Sequence, residues 1–226
     1  MAQMIKRFLK RLLQGRYYGL NRLDQKMEAY LDYEAGYYVE LGANDGVTQS
    51  NTYYFEKYRH WKGLLVEPSP HNFLKCKANR SRENRIHCAA CVSFDYDREF
   101  VRIAHSNLMS TSLGLSTDIA DPMAHALAGR QFLAPTEDVF EYGAVARTLN
   151  DLLNQSAAPK VIDFMSLDVE GAELEVLRGI DHQVYRFKFI LVESRDFARI
   201  NDYLVSVGYT FVAGLSEQDY LFRSAP

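Results

Sequence analysis

The residues able to do chemistry in this sequence are acids placed at the ends of apolar runs. Tyr37 to Gly46 reads Tyr-Tyr-Val-Glu-Leu-Gly-Ala-Asn-Asp-Gly, an apolar strand running into a loop in which Gly42 and Gly46 bracket Ala43, Asn44 and Asp45, with Glu40 at its entrance. Glycines after a strand let the backbone approach a pyrophosphate, and a dinucleotide fingerprint spaces them as G-x-G-x-x-G. Here the order is E-x-G-x-x-x-G, the middle glycine is missing, and two carboxylates stand where an anion would bind. A ligand that carries an ammonium and a sulfonium suits such a loop, and S-adenosylmethionine is one. Glu67 follows about 20 residues later, the spacing at which an acid accepts hydrogen bonds from ribose hydroxyls.

A second group lies in Phe164-Met-Ser-Leu-Asp168-Val-Glu170-Gly, where an apolar strand delivers Asp168 and Glu170 to the carboxyl edge of the sheet, and Glu193 ends the next strand at the same edge. Ligands of open α/β sheets bind outside those ends. Acids at a helix start are also favoured by the helix dipole, which suffices to explain Glu173. An alcohol that attacks an electrophilic carbon must lose its proton as the bond forms, to a positioned base or to a metal that acidifies the hydroxyl. Asp168, Glu170 or His105 could act as the base, and Asp168 with Glu193 could ligate Mg²⁺ through oxygens, the metal-free route being favoured because no third ligand stands at a recognisable spacing.

The elements that position these residues alternate between strand and helix, the pattern of a parallel sheet covered on both faces. Strands are expected at Tyr37 to Leu41, Gly63 to Glu67, Arg85 to Ala90, Val161 to Leu167 and Phe187 to Glu193. Helices are expected at about Ser50 to Tyr58, Pro70 to Asn79, Thr148 to Leu153, Gly171 to Arg178 and Phe197 to Val207. Tyr209 to Ala213 and Asp219 to Arg223 must pair antiparallel as a hairpin at or near the sheet edge, because the connection between them is short. The rhythm breaks over residues 93–144, where a strand from Phe100 to Ala104 precedes the polar loop Ser106 to Gly114. A long excursion inside a compact domain is usually functional, so this insertion is expected to form the substrate region. The domain then runs from 34 to 226, preceded by a helical segment over 1–33.

With 226 residues, 47% hydrophobic, the chain fits one globular domain. A net charge of −3 lacks the surplus of Lys and Arg that nucleic acid requires, so no nucleic-acid partner is expected. Three cysteines, Cys76, Cys88 and Cys91, are an odd number in a chain large enough to fold without disulfides, which points to a reducing compartment and a cytoplasmic location. Met4, Ile5, Phe8, Leu9, Leu12 and Leu13 share one helical face and Lys6, Arg7, Lys10 and Arg11 the other. Residues 1–13 therefore suit peripheral contact with an anionic membrane, at its inner face, while packing on the domain or on a second subunit of a homodimer is the commoner use of such a helix.

Four segments in order, VELGANDGVTQSNTYYFEK, WKGLLVEPSP, TLNDLL and FMSLDVEGAELEVLRGID, resemble the FkbM family of S-adenosylmethionine-dependent methyltransferases over about Gly19 to Tyr220. The resemblance implies a class I methyltransferase fold, a doubly wound and mostly parallel seven-stranded Rossmann-like sheet with an antiparallel edge hairpin. It implies O-methylation of a hydroxyl, most plausibly on a sugar of a cell-surface polysaccharide or glycolipid precursor, or else on a polyketide or other small molecule. By position, Glu40, Gly42, Ala43, Asn44, Asp45 and Gly46 would hold the methionine and ribose portion, with Asn51 and Thr52 capping the helix that faces it. Glu67 and Pro68 would meet the ribose, Cys88 or Ala89 the adenine, and Asp168 the reacting end. An NAD-dependent sugar-modifying enzyme and a non-catalytic domain that keeps the cofactor fold are the rivals; the missing glycine and the acidic loop oppose the first.

Overall fold

A computed structural model describes residues 16–225, so the amphipathic stretch over 1–13 lies outside the described residues. The chain opens with a short helix α1 (Leu23–Glu28) and then builds the centre of a sheet from β1 (Tyr37–Leu41), β2 (Lys62–Val66) and β3 (Arg85–His87), linked by α2 (Tyr53–Arg59) and α3 (Pro70–Asn79). The insertion supplies β4 (Ala90–Val92), β5 (Phe100–His105), β6 (Thr111–Leu113), helix α4 (Pro122–Ala128) and β7 (Phe140–Thr148). The main sheet resumes with α5 (Leu149–Gln155), β8 (Val161–Leu167), α6 (Glu173–Leu177), β9 (Arg186–Glu193), α7 (Phe197–Ser206), β10 (Tyr209–Gly214) and β11 (Asp219–Ser224).

The seven-stranded sheet has the order β3-β2-β1-β8-β9-β11-β10, and only β11 runs against its neighbours. This is the class I methyltransferase arrangement. The order reverses at β1, so a crevice opens beyond the carboxyl ends of β1 and β8, which pair in parallel from Tyr38 opposite Phe164 to Leu41 opposite Leu167. Strand side chains alternate between faces, and both faces are covered. Val39, Leu41, Leu64 and Val66 join the core under α5, α6 and α7. Tyr38, Leu65 and Phe164 join a second core rich in aromatics, with Tyr54, Phe55 and Trp61.

The insertion folds as a second sheet in the order β4-β7-β5-β6, around a small core of Val101, Ile103, Ala144 and Ala146. Three sequence expectations change here. The strand expected over Arg85 to Ala90 is two strands, one in each sheet, so the chain leaves the main sheet at Cys88 and Ala89. The helix expected from Ser50 begins at Tyr53, because the Ser50 hydroxyl accepts the amides of Thr52 and Tyr53 at 3.2 and 3.0 Å and fixes a turn there. The helix expected from Gly171 begins at Glu173, because Glu170 (φ 55°) and Gly171 (φ 101°) both lie in the left-handed region, which cannot continue a right-handed helix.

One buried cation ties β1, the glycine loop, α2 and α3 together. Arg80 follows α3, and its side chain is fully buried. Its Nε lies 2.7 Å from Glu56 Oε2 and its Nη1 3.5 Å from Glu40 Oε2. The guanidinium also donates to the Gly46 carbonyl at 2.7 Å, to the Tyr38 hydroxyl at 2.8 Å and to Thr52 Oγ1 at 2.6 Å. Removing one member of a buried ion pair strands the other in a medium that cannot solvate it. Arg80→Ala is therefore expected to lower stability by about 3–5 kcal/mol in a urea melt; a loss below about 1 kcal/mol, the scale of an exposed pair, would contradict the strut.

Candidate active site

A cavity of about 280 Å³ lies outside the carboxyl ends of β1, β2, β8 and β9, roofed by the insertion. Its floor is the glycine loop. Gly42 has φ 78°, and a Cβ at that position would stand 1.8 Å from the carbonyl oxygen of Asp168, so the loop passes against the β8 end only because the side chain is missing. Gly46 also has φ 82°, but it faces Arg80 and Cys76 behind the loop. The Asp45 carboxylate accepts Val47 N at 2.8 Å, Thr48 N at 2.7 Å and the Thr48 hydroxyl at 2.7 Å, so it holds the turn and does not line the cavity.

Glu40 reaches the cavity wall, yet its oxygens are occupied: they accept the Ser50 hydroxyl at 2.8 Å, Asn51 N at 3.2 Å and the Thr52 hydroxyl at 2.7 Å, beside Arg80. The expected capping by Asn51 and Thr52 is replaced by this arrangement. Thr52 spends its hydroxyl on Glu40 and caps nothing, and Asn51 donates to Ser166 Oγ at 3.1 Å, leaving its buried Oδ1 without a partner among the described residues. Glu67 accepts Asn44 N at 2.8 Å through one oxygen and Ser69 N at 2.9 Å through the other. A carboxylate has about four acceptor sites, so two remain for a pair of hydroxyls. Burial pushes the Glu67 carboxyl up to about 7. Pro68, Ala43 and Ala89 line the cavity, whereas Cys88 turns its thiol to the Pro68 carbonyl.

Asp168, Glu170 and Glu193 come together on one wall, joined by Asp219, which pairs with Glu193 across β9 and β11. Burial and then the charges of Glu170 and Glu173 push the Asp168 carboxyl well above its ordinary range, and burial and then Asp168 do the same to Glu193. The Asp168 charge disfavours ionisation of Glu193, so the two acids titrate together. Glu173 accepts Val169 N and Gly171 N, both at 3.1 Å, and so holds the turn that precedes its helix. His105 is placed elsewhere: buried on β5 against Phe140 and Tyr142, it is absent from the cavity wall, and burial lowers its pKa. Among the described residues no group of three His, Cys, Asp or Glu side chains has the arrangement of a metal site.

The Methyltransferase FkbM domain matches residues 40–211, from the acid of the glycine loop to the edge hairpin. The chain belongs to the FkbM methyltransferase family. Methyltransferase 1 of Beauveria bassiana (strain ARSEF 2860) is 24% identical over 178 residues, 76% of this chain and 71% of that protein. Methyltransferase FkbM from Methylobacillus flagellatus KT superposes on 98% of this chain at 13% identity with a TM-score of 0.48, and this chain spans 60% of that one. The human methyltransferase 10 domain containing protein covers 90% of this chain and is covered over 81% of its own, at 11% identity and a TM-score of 0.46.

In this FkbM methyltransferase several site residues were invisible to sequence reasoning. Arg80 supports the loop from a distant helix end. Asn107 roofs the cavity and accepts Asn44 Nδ2 at 3.0 Å, and Asp219 enters only because β11 lies beside β9. No local spacing signals any of them, since each depends on a long-range pairing.

The Glu67 environment has a measurable consequence. An acid whose folded pKa of about 7 exceeds its unfolded value near 4.3 binds a proton in the native state that the unfolded chain has released, so its contribution falls as pH rises from about 4.3 to 7. Glu67→Gln is expected to remove on the order of 2–3 kcal/mol of that decline in denaturant melts across the same range. An identical pH slope in the two proteins would show that Glu67 titrates normally.

Proposed function

We propose that this FkbM methyltransferase moves the methyl group of S-adenosylmethionine to a hydroxyl of a sugar in a cell-surface polysaccharide or glycolipid precursor. The observation that carries this reading is the acidity of the cavity wall: Glu67, Asp168, Glu170, Glu193 and Asp219 line it beside Glu40, which Arg80 matches from behind, and no Lys, Arg or His lines it among the described residues. In a poorly screened cavity such a wall attracts a sulfonium and an ammonium and repels a pyrophosphate. It likewise disfavours a phosphodiester backbone as acceptor, and it supports an uncharged polyol. The basic and apolar residues at 1–13 support an acceptor presented at a membrane.

The donor set fits the cofactor. Glu67 keeps two acceptor sites for ribose hydroxyls, the unpartnered Asn51 Oδ1 supplies an acceptor for the ammonium end, and the side-chain-free Gly42 leaves room along the loop. When bound, the cofactor supplies a methyl group on its sulfonium sulfur. Orientation and proximity are then the main tasks of the protein. Asp168 and Glu193 carry the remaining one: their raised pKa values make them stronger bases than an exposed carboxylate, suited to accept the hydroxyl proton near neutral pH. Leu20 and Leu23, from the segment before β1, add apolar surface to the cavity lining.

Incubating the protein with methyl-¹³C-labelled S-adenosylmethionine and a panel of methyl glycosides and glycolipids is expected to yield ¹³C-methoxy signals on a sugar. Label appearing only on nitrogen or on a non-sugar small molecule would overturn the acceptor class. With a competent acceptor, Asp168→Asn should lower turnover by ~10²–10⁴ while S-adenosylhomocysteine affinity changes little. Wild-type turnover should rise with pH through the raised pKa of the pair, because the base must be ionised. Near-normal turnover in Asp168→Asn would remove the pair from the chemistry.

A further inference from the structure

The wall that carries Asp168 is not held by the main sheet alone. Glu170 is a non-glycine residue at φ 55°, an unfavourable backbone conformation that persists only where surrounding contacts impose it. Those contacts come largely from the insertion. Thr111 Oγ1, on β6, donates to the Glu170 carbonyl at 2.8 Å, and Asp118 N donates to the Gly171 carbonyl at 3.1 Å. His125, on α4, places its Nε2 2.9 Å from Glu170 Oε2. Arg195, just beyond β9, meets the same oxygen at 3.2 Å and is itself flanked by Asp118 at 3.7 Å. The missing side chain of Gly171 is also required, since a Cβ there would stand 2.2 Å from Thr117 Oγ1.

We infer that His125 is a positioning residue for methyl transfer, seating the insertion helix α4 on Glu170 and thereby holding the segment Asp168 to Gly171 in the conformation that presents Asp168 to the cavity. The inference rests on the role given to Asp168 above, but the contact itself can be tested without an acceptor. The clamp has a mechanical consequence. The insertion roofs the cavity through the Asn107 contact with Asn44 and grips the wall through His125, so roof and wall move as one body. Arg195 meets the same carboxylate oxygen from the segment after β9, whereas His125 reaches it from α4. His125 is half-buried and has no place on the cavity wall, so it positions the reacting groups without touching them.

Hydrogen exchange followed by mass spectrometry tests the clamp directly. In His125→Ala, peptides covering residues 111–119 and 167–173 should exchange faster, while thermal melting stays cooperative and S-adenosylhomocysteine still binds. His125→Gln, which keeps a donor near the Glu170 carboxylate, should restore the slow exchange. With the methyl glycoside found competent in the labelling experiment, kcat should fall by at least ~10-fold in His125→Ala with little change in the KM for cofactor, because a misplacement of about 1 Å costs rates of that order. It should return to within about threefold in His125→Gln, a recovery that a merely structural lesion would not show. Unchanged exchange in His125→Ala, or faster exchange that His125→Gln fails to reverse, overturns the assignment. Absence of S-adenosylhomocysteine binding to the wild type would instead remove the cofactor reading and leave the exchange test standing.

Discussion

The buried guanidinium of Arg80 is the constraint on which the site depends. It is the only cation within 4.0 Å of the Glu40 carboxylate among the described residues, and it reaches the Gly46 carbonyl and the Thr52 hydroxyl as well, so the beginning, the end and the exit of the glycine loop meet on one side chain. Glu56 completes the balance, accepting Tyr38 Oη at 2.7 Å, Asn84 Nδ2 at 2.8 Å and Ser81 N at 2.8 Å. Two acids against one buried cation leave a densely hydrogen-bonded network, in which Arg80 Nε meets Glu56 as an ion pair without hydrogen-bond geometry, and such a network helps to specify a conformation. With the loop fixed, Gly42 lies against the Asp168 carbonyl and Asn44 N meets Glu67, which sets Glu67 and Asp168 relative to each other.

Much of the fold was legible because it rests on local periodicity. The alternation of apolar strands and helices and the antiparallel hairpin are carried by runs of residues that must bury one or both faces. The boundaries that failed did so where a single side chain or a left-handed residue overrides the pattern, as Ser50 does before α2 and Glu170 before α6. The strand expected over Arg85 to Ala90 is apolar enough for one strand, but its two halves pair with different partners, which no local signal records.

The site was legible in part. Gly42, Asn44, Glu67, Asp168, Glu170 and Glu193 were identifiable because their positions at strand ends follow from the sheet, and all six line one cavity. Glu40 and Asp45 illustrate the limit of reading charge from sequence. Both are acids of the loop, yet one is matched by Arg80 and the other by the amides of its own turn, so the negative character of the cavity comes mainly from Glu67 and from the wall beyond β8 and β9. His105 misled because a histidine before a polar loop resembles a base, whereas β5 turns it into the insertion.

An acidic cavity of this kind should select a cationic adenosyl ligand over an anionic one that shares the same adenosine. Isothermal titration of the full chain with S-adenosylmethionine and, separately, with NAD tests it most directly. The account predicts saturable S-adenosylmethionine binding in the micromolar range, about −8 kcal/mol, with no heat from NAD at the same concentrations. NAD binding as tight as or tighter than S-adenosylmethionine would contradict it.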